Sequence, residues 1–409
     1  MSLWVDRRKE LKDDPAPGRT HALLIGTSRY RWLSKQGQPP PAGEKRDTLG
    51  LSEVDICATS ALAFAKWMRD SFQNKKSPLA TIRLCVNPSD EELAKVPGMK
   101  DLDPKFIGTT RKTILKELEE WQQDCHNNPA GISILYASGH GLSRGKEQSL
   151  ILLEDFADDS QIFNYSIDVG GNRQAMVGDQ MPQTQLYFAD ACRLPEATNL
   201  NGLGFGVTLP SPSGVVEDKR SAPIYYSAFS GMAALGVKQK GTFFMQALLE
   251  CLDTLALTGP NKKSSDPLEQ QYWHVSVGGL LSPLDQRVRA LADAKAIEAR
   301  HELPDQGVTM GGEARAAVFH VLPSPPKVRI TLDLEPEAVA TKAEAALFLP
   351  TRASQIGNKQ PCRPKPCSFG LVEAGLYSLD VYSTEKNVQG IVVQVEPPET
   401  NFPFSLKGA

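Results

Sequence analysis

Five short apolar runs, each closed by a small residue or a turn, alternate along the chain with stretches of helical spacing. They are His21–Gly26, Thr81–Val86, Gly131–Ser138, Thr184–Asp190 and Pro223–Phe229. Strands that are apolar throughout, rather than at every second residue, must be buried on both faces. Helical patterns lie at Glu53–Phe72, Thr110–Cys125, Gly241–Leu257 and Ser282–Arg300. In the first, Val54, Ala58, Ala61, Leu62, Ala65 and Met68 share a face; in the second, Ile114, Leu115, Leu118 and Trp121 form one stripe. Thr110 is placed to cap that second helix. Ser149–Leu153 reads as a further short strand. Strands alternating with helices predict an α/β fold, a mainly parallel sheet sandwiched by helices.

The pattern changes after Leu322-Pro-Ser-Pro-Pro326. Val328–Leu334, Leu376–Tyr382 and Ile391–Val395 alternate between apolar and polar residues. This predicts a small C-terminal all-β domain of sandwich type. The expected organisation is an N-terminal extension over 1–19, a main domain over 20–322, a linker over 323–327 and the β domain over 328–409. Within the main domain, 194–222 reads as a long polar loop, which in a compact domain usually serves function. No internal repeat stands out.

A net charge of −3 and the absence of a Lys/Arg-rich run leave no basic field for nucleic acid. No run of apolar residues is long enough to predict a membrane span. Met1–Asp14 is charged and lacks an apolar signal core, so a cytoplasmic location is expected. Seven cysteines are too sparse for a disulfide framework. Cys362 and Cys367 are the one close pair. They read as a loop pair without a role, ahead of a disulfide or half of a metal site.

Two motifs carry chemistry. Tyr136-Ala-Ser-Gly-His-Gly141 ends one apolar run and Asp190-Ala-Cys-Arg193 ends another, with His140 and Cys192 52 positions apart. In open α/β sheets, sites form beyond the carboxyl ends of the strands. If the two strands are parallel neighbours, His140 and Cys192 face one crevice. A cysteine thiol is weakly ionised at neutral pH, and a nearby histidine can accept its proton and release a nucleophile. The backbone N–H groups of Gly141 and Cys192 could then form the donor pair that an oxyanion needs. Taken singly, a buried cysteine is usually inert core and a histidine beside a glycine turn is usually structural. The pairing of two strand ends is what argues for catalysis.

These motifs resemble those of the caspase-like cysteine proteases (peptidase C14 type), with His about 50 residues before an Ala-Cys motif. Ala22-Leu-Leu-Ile-Gly-Thr-Ser-Arg-Tyr30, Leu51-Ser-Glu-Val-Asp55 with its helix, and Ser227–Ala234 followed by Gly241–Leu249 are similar to the family's other segments. The resemblance covers residues 20–322. It implies a cysteine endopeptidase that needs no cofactor, with His140 and Cys192 as the catalytic dyad and Gly141 at the oxyanion hole. The sequence departs from the metacaspase pattern after the cysteine, where Arg193-Leu-Pro195 replaces His-Ser-Gly.

Asp190 lies two positions before Cys192 and so points to the same side of its strand. Caspases carry glutamine there and cut after Asp. The metacaspase-like members carry Asp, as here, and cut after Arg or Lys. The resemblance therefore implies a basic preference, with Asp190 and Asp55 in the S1 pocket. Asp55 reads equally as a charge at a helix N-terminus. Lys45 and Arg46, near where caspases place an arginine for acidic substrates, speak for cleavage after Asp. Lys219 and Arg220 fall where family members are often self-cleaved, and autoprocessing there is expected on the same footing as a solvated charge pair. Asp155, Asp158 and Asp159 are candidates for calcium, as in some metacaspases, although a solvated acidic loop is the plainer reading. The expected partner is a protein or peptide substrate. The alternative function is a weakly active or silent scaffold that binds a regulatory partner through its C-terminal β domain.

Overall fold

The computed structural model describes all residues except 1, 36–37, 39–45, 145–147, 159–161, 196–205, 212–216, 230–231, 233, 301–304, 364–366, 385–386 and 406–409. The chain divides into two compact units, Met1–Leu249 with Val277–Phe319, and Glu250–Ser276 with His320–Ala409.

The first unit begins with β1 (Leu3–Asp6), β2 (Thr20–Thr27), α1 (Cys57–Asp70), β3 (Leu79–Asn87), α2 (Asp90–Lys95), α3 (Arg111–Cys125) and β4 (Ile132–Gly139). It continues through β5 (Gly141–Arg144), β6 (Gln148–Leu152), β7 (Ser166–Asp168), α4 (Val169–Ala175), β8 (Thr184–Ala191), β9 (Leu194–Pro195) and β10 (Ile224–Tyr226). Then come β11 (Gly236–Val237), β12 (Gly241–Thr242) and α5 (Phe243–Glu250). After α6 (Pro267–Gln271) and β13 (Trp273–Ser276), the chain returns to this unit with α7 (Leu281–Ala299) and β14 (Thr309–Gly311).

Seven strands form the main sheet in the order β1-β3-β2-β4-β8-β10-β14. The five inner strands are parallel, and β1 and β14 are antiparallel to their neighbours. Successive side chains of a strand go to opposite faces. On β8, Tyr187 packs with Ile114, Leu118 and Trp121 of α3. Its neighbour Phe188 meets Phe64 of α1, Tyr225 and Phe244. That is why the inner strands read as apolar throughout. Gly26 brings α1 down onto β2: a Cβ there would sit 2.5 Å from the Cys57 carbonyl oxygen. Thr110 caps α3 as expected, its hydroxyl accepting the Thr113 N–H at 3.2 Å.

The second unit adds β15 (Val318–Leu322), β16 (Lys327–Glu335), α8 (Glu337–Ala340), β17 (Glu344–Phe348), β18 (Gln355–Pro361), β19 (Cys367–Glu373), β20 (Gly375–Tyr382), β21 (Val388–Val395) and β22 (Glu399–Ser405). From β16 onward the strands form one sheet ordered β19-β16-β22 and another ordered β18-β17-β20-β21. On β16, Val328, Ile330, Leu332 and Leu334 are buried and alternate with more exposed residues, the signature of a half-buried strand. The division differs from a single cut after residue 322. Residues 250–276 cluster with the C-terminal strands because β13 pairs with β15.

Candidate active site

β4 and β8 lie in parallel register, with Ser138 opposite Asp190 and Gly139 opposite Ala191. Each strand ends one residue before a reactive side chain. His140 and Cys192 therefore leave neighbouring strands at the same carboxyl edge.

His140 is fixed by two distant segments. Its backbone N–H donates to the Tyr30 hydroxyl at 2.8 Å, and the two rings lie 5.2 Å apart. Its Nε2 is 2.6 Å from the Ser52 carbonyl oxygen. A carbonyl only accepts, so Nε2 carries the proton and Nδ1 is the basic nitrogen of the neutral ring. Burial pushes the ring below its ordinary pKa, and the bond to Ser52 opposes that shift. Cys192 is partly exposed, and its Sγ accepts the Ala234 N–H at 3.2 Å. Burial pushes the thiol up, the Ala234 N–H draws it back, and the nearby Asp190 adds to the rise. At neutral pH the resting site thus holds a neutral imidazole and a neutral thiol, not a charged pair.

Gly141 is where β5 passes Cys192. A Cβ there would lie 2.1 Å from the Cys192 carbonyl oxygen and 2.6 Å from the Ala191 Cβ. The Leu152 N–H donates to the His140 carbonyl at 2.8 Å, so that carbonyl faces β6. The N–H of Gly141, one residue on, faces the opposite way.

Asp190 is 1% exposed. Its Oδ2 accepts hydrogen bonds from the hydroxyls of Tyr136 and Thr242, each at 2.5 Å. Its Oδ1 accepts none, although the Ser138 and Ser227 hydroxyls lie close by. Burial raises this carboxyl to about 6, against the pull of those hydroxyls. Asp55 lines a cavity of about 230 Å³ with Glu53, Asp90, Glu91 and Lys238, and Asp190 does not line it. Lys238 reaches Asp55 at 2.9 Å and Glu91 at 2.7 Å.

The other sequence candidates fall elsewhere. Lys45 and Asp159 lie outside the described residues. The Arg46 guanidinium stacks over Trp32 and donates to the Ala157 and Asp158 carbonyls, so it is committed to that turn. Asp155 accepts the Arg111 N–H at the start of α3, and Asp158 holds Arg31 and Trp32. These two carboxylates serve different partners, and no group of three or more metal-ligating side chains gathers among the described residues. Lys219 is exposed and paired with Glu217. Arg220 is buried, gripped at two points by Asp218 and donating to Gln185 Oε1 at 2.8 Å. Tyr30, Ser52, Ala234, Thr242 and Lys238 complete the site; the first four lie in segments that resemble the family's, but no residue pattern singles out any of the five. Each acts through a long-range contact that local pattern does not encode.

Residues 19–288 match the family model of the caspase domain. No curated protein matches the chain. Among solved structures, caspase-1 from Spodoptera frugiperda is similar over 75% of this chain and 92% of its own, at 14% identity and a TM-score of 0.44. No helix among the described residues is long and apolar enough to cross a membrane. With two thirds of its length in that family model, the chain belongs to the caspase-domain family of cysteine peptidases, peptidase C14.

Proposed function

We propose that this protein is a cysteine endopeptidase that cleaves after Arg or Lys, with Cys192 as nucleophile and His140 as general acid and base. The observation that carries the preference is Asp190, a buried carboxylate beneath the nucleophile with one oxygen satisfied by hydroxyls and the other accepting nothing. A buried anion in this state is stabilised by a cation, and a guanidinium offers the geometry that suits a carboxylate best.

The chemistry follows from the neutral resting pair. As substrate enters, the Cys192 thiol leaves the Ala234 N–H and passes its proton to His140 Nδ1. The Ser52 carbonyl holds Nε2–H and stabilises the imidazolium that results. The thiolate attacks the scissile carbonyl, and the N–H groups of Gly141 and Cys192 hold the oxyanion. His140 then gives its proton to the leaving amine, and water, activated by the same ring, hydrolyses the thioester. Lys219 is the better candidate for self-cleavage, because Arg220 would first have to leave its buried ion pair.

The test is a panel of fluorogenic peptides with Arg, Lys or Asp before the scissile bond, given to wild type and Cys192→Ala with and without calcium. Cleavage after Arg and Lys by wild type alone is expected. Equal signal from the two proteins would remove the protease reading, and cleavage after Asp alone would remove the basic preference.

A further inference from the structure

One hairpin touches three parts of the site. The Ala234 N–H binds the Cys192 sulfur at 3.2 Å, Lys238 sits in the β11–β12 turn on Asp55 and Glu91, and Thr242 on β12 holds Asp190. The cavity beside Asp55 carries four carboxylates, Glu53, Asp55, Asp90 and Glu91. Of its two lysines, Lys35 pairs with Asp90. Lys238 belongs to the strap that also covers the nucleophile. We infer that Lys238 is an internal competitor for the substrate: its ammonium occupies Asp55, the second S1 candidate beside Asp190, and Glu91, which a basic substrate side chain would otherwise use. The inference rests on the basic preference proposed above. Lys238 is about half exposed, so each of its two ion pairs is weak and a substrate can displace it. Its effect is a tax on substrate binding and not a block.

The test compares wild type, Lys238→Met and Lys238→Arg on peptides with Arg, Lys or the neutral isostere citrulline before the scissile bond. For Lys238→Met, KM for the Arg and Lys peptides should fall about fivefold, as expected for the loss of two exposed pairs, with kcat within twofold. The citrulline peptide should be unaffected, and Lys238→Arg should behave as wild type. An unchanged KM, or an equal fall for citrulline, overturns the inference. Agmatine binding to Cys192→Ala, with and without Lys238→Met, gives a readout independent of turnover and should tighten by the same factor. A wild type that ignores basic peptides fails on the preference itself, which is a separate result.

Discussion

Arg83 and Asp190 are both buried charges on inner strands of one sheet, and the protein treats them in opposite ways. Arg83 on β3 meets three carboxylates, Glu117 at 3.0 Å, Glu120 at 2.5 Å and Asp124 at 2.9 Å. Asp190 on β8 has hydroxyls for neighbours and an oxygen that accepts nothing. The first region is finished: its charge is neutralised within the fold. The second is left incomplete at the carboxyl edge where His140 and Cys192 stand. One buried charge is thus paired threefold by the fold and the other is left to hydroxyls, which is the contrast on which the proposed basic preference rests.

The contrast can be broken in four places. The largest effect should come from Arg83→Met, which leaves Glu117 buried without a cation and takes one of two cations from Glu120 and Asp124, and should cost about 3–5 kcal/mol in urea unfolding. A loss under 1 kcal/mol would mean the cluster is effectively solvated. Next is the cost of Asp190 itself. Its folded pKa of about 6 lies above the ordinary 3.8 of an aspartate, so the folded state binds more protons between those values. The stability it contributes is therefore full below pH 3.8 and lost as pH rises through 6, on the order of 3 kcal/mol in all. Asp190→Asn should gain on wild type by that order when urea unfolding at pH 8 is compared with pH 4. A difference that does not change with pH would show that burial does not raise the Asp190 carboxyl. The same substitution should lower kcat/KM for Arg peptides about 100-fold while sparing citrulline peptides, since a charged hydrogen-bonded pair is lost. The smallest effect is expected of Tyr30→Phe, which keeps the ring on His140 but removes the oxygen that accepts its N–H. A fall in kcat of about fivefold with KM unchanged is expected for one neutral hydrogen bond. A changed KM instead would place Tyr30 in substrate binding.

The parallel core was legible because strands buried on both faces have no other way to read, and His140 and Cys192 were legible because both follow directly on such strands. Less of the second unit could be read. Glu344-Ala-Ala-Leu-Phe348 has helix-forming residues yet forms β17, held between β18 and β20. Pairing in a sheet overrode local propensity there. β22 contains Pro403, which local rules count against a strand, and it lies at a sheet edge, where proline is tolerated. The helix expected over Gly241–Leu257 is α5 followed by a wider π-helical turn over Cys251–Leu255, a change that apolar spacing does not register. In the site, the motifs named the reacting side chains but not what holds them. Ser52, Tyr30 and Ala234 act through backbone groups or a hydroxyl supplied from remote segments. Arg220 shows the converse: a residue in a polar loop segment whose burial follows from Asp218, Gln185 and the Arg173 carbonyl.

The main sheet carries short reversed strands at its two margins, four residues of β1 along β3 and three of β14 along β10. A sheet that ends this way presents only a few backbone groups to a neighbour, and short edge strands are one means of resisting strand addition. A peptide or a second copy seeking to lengthen the sheet would find a landing of three or four residues at either margin. The long parallel strands, which would template aggregation if laid bare, are sealed inside.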